Sequence, residues 1–456
     1  MNPPASSAAP PGVVHLGLGA FHRAHQALVF DQLLRAGDQR WGVFGVAMHN
    51  TALADALAAQ GGRYAVQLAS ASQQHWVVPQ ALQATAVAAR EPASVLRAIA
   101  APATRWITLT VTEKGYTPAL AQLLLRALGQ RHAAGLPGLT LASCDNLAGN
   151  GQRLQALLQA EARALALPAA LGHWLEAACA FPCSMVDRIV PAATPELQQA
   201  AREAMAHRGE PLLVDGALAT EAFWEWVIED RFADAGDAST LAAAGVRVVR
   251  DVRAFEEAKL RLLNGSHSAM ACIGTVAGLD HVSDCIAQPA IRRFVHGLMT
   301  REVGPQLARS DWPAYRDALL ERFANPHLRH RTHQVASDSS QKIPQRWVPA
   351  AIAQLQAGGS VKRLAFAAAA WMRHARAVDE QGREYPLSDP LADEVRTLAR
   401  RHAGDANASF DTLGRLPAVW GNELPRDAAW RAAVVHALEA IEQRGMLAAL
   451  PREDSE

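Results

Sequence analysis

The sequence predicts an α/β fold, with a doubly wound N-terminal part followed by a mostly α-helical C-terminal part. Three observations carry this. Short apolar runs rich in Val, Ile and Thr alternate with Ala- and Leu-rich segments of helical spacing through the first half. A tight Gly-x-Gly turn closes the first of these runs and opens a helical stretch. Beyond about residue 253 the β-rich runs stop, and Ala- and Arg-rich amphipathic stretches take over. At 456 residues the chain is too long for one compact core. We divide it into a short flexible tail over 1–12, rich in Pro, Ala and Ser, a first domain over 13–252 and a second over 253–456.

Residues 13–16, 41–46, 106–111, 139–143 and 185–190 read as buried strands of one parallel sheet. Residues 116–134 and 151–165 carry helical spacing between them. The second half is punctuated at Asn325-Pro326, Gly358-Gly359 and Asp389-Pro390. Its longest apolar run, 364–372, is far short of the roughly 20 residues a membrane helix needs. The N-terminus lacks the basic start and apolar core of a secretory signal, so a cytoplasmic protein without membrane attachment is expected. Basic and acidic residues balance at 44 each, which argues against a general affinity for nucleic acid. Five cysteines, an odd number in a long chain, do not suit a disulfide scaffold. Cys179 and Cys183 have the spacing of a metal clip, but no second Cys or His pair follows, and buried thiols are expected instead.

The glycine turn is Gly17-Leu18-Gly19-Ala20-Phe21. Gly17 permits the turn and Gly19 lets backbone approach a pyrophosphate, which then sits on the N–H groups of Leu18, Ala20 and Phe21 at the helix start. His22 stands where the third glycine of the usual dinucleotide fingerprint belongs. This points to a Rossmann-type first domain that binds a dinucleotide. The stretch 46–50 has neither the acidic residue that usually meets the adenosine ribose nor an arginine for a 2′-phosphate. Asn50 is the remaining candidate for the ribose hydroxyls, and NAD is expected over NADP.

The segment 256–267 holds the densest chemistry. On an α-helix at about 100° per residue, Glu256 lies about 60°, His267 about 80° and Asn264 about 140° from Lys259, so all four share one side. Oxidation of a secondary alcohol without a metal needs a base for the hydroxyl proton. A lysine serves when burial lowers its pKa from about 10.4 towards 7–8. Asn264 is placed to donate to the developing alkoxide, His267 to bind a neighbouring hydroxyl, and Glu256 to pass the proton to water. A solvated polar face with i,i+3 ion pairs has the same spacing. Gly265 weakens the helix and weighs slightly towards function. Asn146 follows the apolar strand at 139–143, where open α/β sheets bind ligands, and is a candidate second donor or a turn residue.

Together these segments resemble the mannitol dehydrogenase family of long-chain polyol and sugar-acid dehydrogenases. The resemblance runs through 17–25, 112–116, Ser143-Cys144-Asp145-Asn146, 181–188, 259–267 and 340–344, in order and over most of the chain. It implies metal-independent hydride transfer with NAD, with Lys259 as general acid/base, Asn146 and Asn264 as the oxyanion site, His267 orienting substrate and Glu256 relaying the proton. Asp187 and Arg188 would bind substrate.

The stretches 181–195, 226–230 and 325–334 are most similar to the sugar-acid branch of that family. They imply a small-molecule substrate such as the ketouronate D-fructuronate, with mannitol or arabinitol as the alternative. A carboxylate needs a cation, and Lys342 and Arg346 are the candidates, with Arg329 and Arg331 upstream. Gln334 replaces an arginine common in mannitol 2-dehydrogenases. Ser339 replaces the glycine of the family's Asp-Gly-Ser, and its side chain is expected to narrow the pocket.

Overall fold

The computed structural model describes residues 9–210 and 215–452. Residues 1–8, most of the expected tail, lie outside the described residues. By their contacts the residues fall into two compact units, Met1–Arg253 and Ala254–Glu456.

The strands of the first unit are β1 (Val13–Leu16), β2 (Val43–Ala47), β3 (Val66–Ala69), β4 (Gln74–Val77), β5 (Leu82–Val87), β6 (Trp106–Leu109), β7 (Thr140–Ser143), β8 (Ser184–Asp187), β9 (Leu218–Glu221), β10 (Glu225–Glu229) and β11 (Arg247–Val249). Its helices are α1 (Ala20–Ala24), α2 (Gln26–Arg35), α3 (Thr51–Ala59), α4 (Pro92–Ala100), α5 (Pro118–Ala133), α6 (Asn150–Ala164), α7 (Ala169–Ala178), α8 (Pro195–His207) and α9 (Gly236–Ala243).

Among the described residues five strands form a parallel sheet in the order β5-β2-β1-β6-β7. The chain steps outward from β1 to one edge and then returns to β6 and β7. The order therefore reverses between β1 and β6, which is where open α/β sheets bind their ligands. Both faces of the sheet are covered. Val13, Val43 and Trp106 join one core with Phe30, Trp41 and Trp226. Val14, Leu16, Ile107 and Leu141 join the other with Leu124 and Leu154. Double burial is why these strands read as unbroken apolar runs rather than as alternation.

Two expectations need correction. The run at 185–190 is not in the parallel sheet: β8 pairs antiparallel with β10 in a separate layer ordered β11-β10-β8. An apolar strand buried on both sides looks the same in either setting. The edge strand β5 was not anticipated, because Leu82 to Val87 mixes apolar residues with Gln83 and Thr85 and is only partly buried.

The second unit holds α10 (Arg253–Ala258), α11 (Gly265–Val276), α12 (Val282–Ala287), α13 (Pro289–Gly297), α14 (Trp312–Phe323), α15 (Thr332–Ala336), α16 (Ser339–Arg346), α17 (Val348–Gln356), α18 (Lys362–His374), α19 (Ala392–Arg401), α20 (Ala406–Thr412), α21 (Pro417–Trp420) and α22 (Ala428–Arg444). Every residue of α11 is buried, and it packs against α15 and α18. A helix apolar on all sides must sit inside its domain. The apolar run 364–372 is the buried body of α18. Among the described residues no helix is long and apolar enough to cross a membrane.

The reading of 256–267 as one α-helix is also corrected. Lys259–Asn264 is π-helical, between α10 and α11. The Gly265 N–H donates back to the Leu260 carbonyl, the i→i+5 bond of a π turn.

Candidate active site

In the first unit the glycine turn sits at the sheet's reversal point. Gly17 has φ +98°, and a side chain there would strike the Thr110 carbonyl at 2.2 Å. The Gly17 and Leu18 amides donate to Val46 O at 2.9 and 3.0 Å, pinning the turn to the end of β2. His15 Nε2 donates to Gly17 O at 3.1 Å, while its Nδ1 accepts from Thr108 Oγ1 at 2.8 Å. Burial holds His15 neutral, down at about 3.

Gly19 faces open space: an added Cβ would meet only Gly17 O, at 3.7 Å. A side chain there would project into the cradle, and the first-turn amides of Ala20 and Phe21 have no intrahelical acceptor. These features fit a pyrophosphate. His22, in place of the third glycine, lies flat on His15 with ring centroids 3.4 Å apart. Helix and strand thus approach through a ring stack where a glycine would otherwise allow it.

Asn50 caps α3, its Oδ1 accepting from Leu53 N at 3.1 Å. Its amide NH2 and the second lone pair of Oδ1 remain for the expected ribose contact. Asn146 is exposed on the loop after β7. The neighbouring Asn150 is buried and ties this loop to β8, donating to Asp145 O and Ser184 O at 3.0 and 2.8 Å. Asp187 is buried at the end of β8, in register with Glu225.

The Arg188 guanidinium donates to Glu221 O twice, at 3.0 and 2.7 Å, and to Ala24 O at 2.6 Å. It clamps the backbone of the first unit, with three of its five N–H groups given to carbonyl oxygens. Cys179 and Cys183 are buried free thiols. Among the described residues no group of three or more His, Cys, Asp or Glu is arranged to hold a metal.

The second unit gathers the remaining candidates. Glu256, Lys259 and His267 are buried, at 8, 7 and 6 % exposure, and Asn264 is half-buried. Three such polar groups withdrawn from water exclude the solvated-face alternative. An α-helix would set Asn264 about 140° from Lys259. The π turn closes between residue i and i+5, so Asn264 returns towards the side of Lys259.

Side chains at the end of α16 and just beyond it brace this turn at its exit. Arg346 Nη1 donates to Asn264 O at 3.1 Å and to Ser268 Oγ at 2.7 Å, and Trp347 Nε1 donates to Gly265 O at 2.9 Å. Gly265 itself packs against Arg346 O and the Trp347 ring, at 3.4 and 3.6 Å from an added Cβ.

His267 lies 5.2 Å from the Phe323 ring and 4.9 Å, edge to face, from His330. Burial first, then the charges of His330, Arg346, Lys342 and Arg322, hold it well below the usual histidine range. Its Nε2 is buried with no hydrogen-bond partner among the described residues. Lys342 is half-buried and donates to Val335 O at 3.3 Å and to Ser337 O. Burial and Arg346 bring it down to about 8, against the opposing pull of Asp338 and Asp389. Arg329, Arg331 and Gln334 are exposed. Ser339 is buried with its hydroxyl donating to Ala336 O at 2.6 Å, so its side chain folds onto its own backbone rather than narrowing a pocket.

Both units match one family. Residues 11–239 match the mannitol dehydrogenase Rossmann domain and residues 251–442 the mannitol dehydrogenase C-terminal domain. The chain belongs to the mannitol dehydrogenase family. It is 37% identical to the D-mannonate oxidoreductase of Escherichia coli (strain K12), over 95% of this chain and 93% of that one. It is 33% identical to a mannitol 2-dehydrogenase of Aspergillus terreus, over 98% and 93%. Among solved structures it is similar to Pseudomonas fluorescens mannitol 2-dehydrogenase in ternary complex with NAD and D-mannitol, at TM-score 0.82 and 29% identity over 96% and 93% of the two chains. A D-sorbitol dehydrogenase gives TM-score 0.85 at 29% identity, over 97% and 96%. The protein is therefore an oxidoreductase of this family.

One residue of this family member's second unit escaped the sequence reading. His330, between α14 and α15, shares the His267 pocket. It lies in the stretch 325–334 singled out for other reasons, among two further histidines and two arginines that gave it no distinguishing signal.

Proposed function

We propose that this protein is an NAD-dependent fructuronate reductase, which reduces D-fructuronate to D-mannonate reversibly and without a metal. The observation that carries the sugar-acid reading is the set of cationic side chains gathered about His267: Lys342, Arg346 and Arg322 all act on it, and Arg346 also donates to Asn264 O and Ser268 Oγ. A neutral polyol needs no such surplus, whereas a substrate carboxylate offsets it. The 37% identity to a D-mannonate oxidoreductase supports the same reading.

The dinucleotide, held by Gly17, Leu18, Gly19, Ala20 and Phe21 with Asn50 near the ribose, supplies the hydride when bound. The chain's residues handle binding and the proton. Lys259 as ammonium gives its proton to the ketone oxygen as the alcohol forms, and takes it back in the reverse direction. Asn264, with Asn146 as second donor, hydrogen-bonds that oxygen while it carries negative charge. His267, kept neutral, binds an adjacent hydroxyl through Nε2. Glu256, three residues before Lys259, restores the proton from water. Lys342 pairs with the substrate carboxylate, and Asp187 is a further substrate contact. Arg346 is assigned to positioning, since its guanidinium holds the Asn264 turn.

The alternative, a mannitol or arabinitol 2-dehydrogenase, has the ternary complex with D-mannitol in its favour. A panel of ketouronates, ketoses and polyols, followed by NADH absorbance with both NAD and NADP, separates the two. Turnover of fructose without turnover of fructuronate would sink the sugar-acid reading.

A further inference from the structure

Two ring nitrogens in the His267 pocket lack protein partners. His267 Nε2 and His330 Nδ1 are each buried with no hydrogen bond to any described residue. Their rings meet edge to face with centroids 4.9 Å apart, so the two unpartnered nitrogens belong to neighbouring rings. Buried polar groups are nearly always paired. Two adjacent exceptions in one pocket point to a polar ligand that completes them.

The His330 ring is also built in place rather than hanging from a loose loop. Val282 N donates to His330 O at 3.0 Å, Thr332 N donates to Asp280 O at 2.9 Å, and His281 bridges Arg331. Both rings are neutral. Burial and then Lys342 bring His330 down to about 4. A neutral imidazole carries one N–H, and with Nδ1 unclaimed by the protein, that nitrogen can carry the proton and donate it to an acceptor.

The surrounding charge says which acceptor. Lys342 acts on both rings, and Arg346 and Arg322 act on His267. Of the carboxylates near Lys342, Asp389 is occupied: it accepts from Ser340 N at 2.8 Å, Ser340 Oγ at 2.5 Å and Leu391 N at 2.9 Å. Asp338 is the other. Lys342, whose Nζ spends two of its three N–H groups on Val335 O and Ser337 O, keeps a third beside these neutral rings, and such a set suits an anion.

We propose that His330 is a specificity-determining residue which, together with Lys342, binds the carboxylate end of the substrate. This rests on the sugar-acid reading and adds a residue to it. Such a residue contributes to binding and leaves the proton and hydride steps to others.

The test is steady-state kinetics of His330→Ala, His330→Asn and His330→Gln with D-fructuronate and with D-fructose, which has a hydroxymethyl group in place of the carboxylate. His330→Ala is expected to raise KM for fructuronate roughly tenfold or more and to change kcat less than about threefold. Any turnover of fructose should change less than about twofold. His330→Asn, whose amide nitrogen stands near the Nδ1 position, should recover most of the KM, and His330→Gln should not. NADH binding by fluorescence and the thermal melt of each variant establish that it is folded. A KM unchanged in His330→Ala, a kcat that falls as far as KM rises, or an Asn variant no better than Gln overturns the assignment of His330 alone. A wild type that reduces fructose and not fructuronate overturns the reaction reading, and the carboxylate with it.

Discussion

Among its described residues the second unit contains two π-helical segments of six residues each, Lys259–Asn264 and Leu298–Val303. Both break a helix and both are largely buried, yet they differ in what their polar groups meet. In the second segment Glu302 is fully buried and satisfied. Its two oxygens accept from Arg363 N at 2.8 Å and Leu364 N at 2.9 Å, and it thereby caps the start of α18. Around the first segment, His267 Nε2, His330 Nδ1 and Ser266 Oγ are buried without partners among the described residues. A π turn is often found at functional sites, but here the backbone alone does not distinguish them. Unmet polar atoms flank the second segment too, Arg363 Nε and Gln306 Oε1, so what separates a site from a strut is the kind of group gathered: Lys259, Glu256 and His267 at the first, a single carboxylate bonded to two backbone amides at the second.

The sharpest way to break this comparison is to remove the buried lysine from the first segment. Lys259→Ala is expected to lower kcat by about a thousandfold or more while NADH binding stays within a few-fold. The check is stopped-flow or steady-state turnover beside fluorescence titration. Simultaneous loss of both would make Lys259 structural, like Glu302.

The reciprocal change in the second segment should act on stability and not on chemistry. Glu302→Ala leaves two buried amides at the head of α18 unpaired and should cost about 2–4 kcal/mol in chemical denaturation. Its kcat/KM should stay close to wild type. Glu302 also provides a pH signature. Burial outweighs its donors and pushes its carboxyl up from 4.5 to about 7. The folded state then holds this proton more tightly than the unfolded chain does. Its contribution is greatest below about 4.5 and is lost as pH rises through about 7. Relative to Glu302→Gln, wild type should lose on the order of 3 kcal/mol across that window. Denaturation midpoints at the two ends would reveal it, and a flat difference would show that Glu302 stays ionised.

The smallest expected effect concerns the brace of the first segment. Trp347→Phe removes the donor to Gly265 O and keeps most of the ring, costing about 1 kcal/mol of stability. A several-fold fall in kcat with KM little changed would show that the brace also sets the geometry of the turn.

Much of the fold was legible from the chain. The strands β1, β2, β6 and β7 are doubly buried, and their unbroken apolar runs announce it. The edge strand β5 and the layer of β8 were not, because partial burial blurs the period and because pairing partners far apart in sequence leave no local mark. At the site, Lys259, Asn264 and His267 stand close enough in sequence for a helix pattern to group them. The clamp that Arg188 makes on Glu221 O and Ala24 O had no local mark, because an arginine beside a strand end looks the same whether it meets carbonyls or a ligand. His330 was missed because its pairing with His267 crosses 63 positions.

From its residues alone, this protein's division into a parallel-sheet part and a helical part, its glycine turn and its lysine-bearing segment could be written down. These rest on local periodicity and on residue chemistry within one or two turns. Only the tertiary structure decided that the segment is a π turn braced by Arg346 and Trp347, that His22 replaces a glycine by stacking on His15, and that His267 and His330 meet edge to face near Lys342. Each depends on a contact between distant residues, and such contacts exist only once the chain has packed.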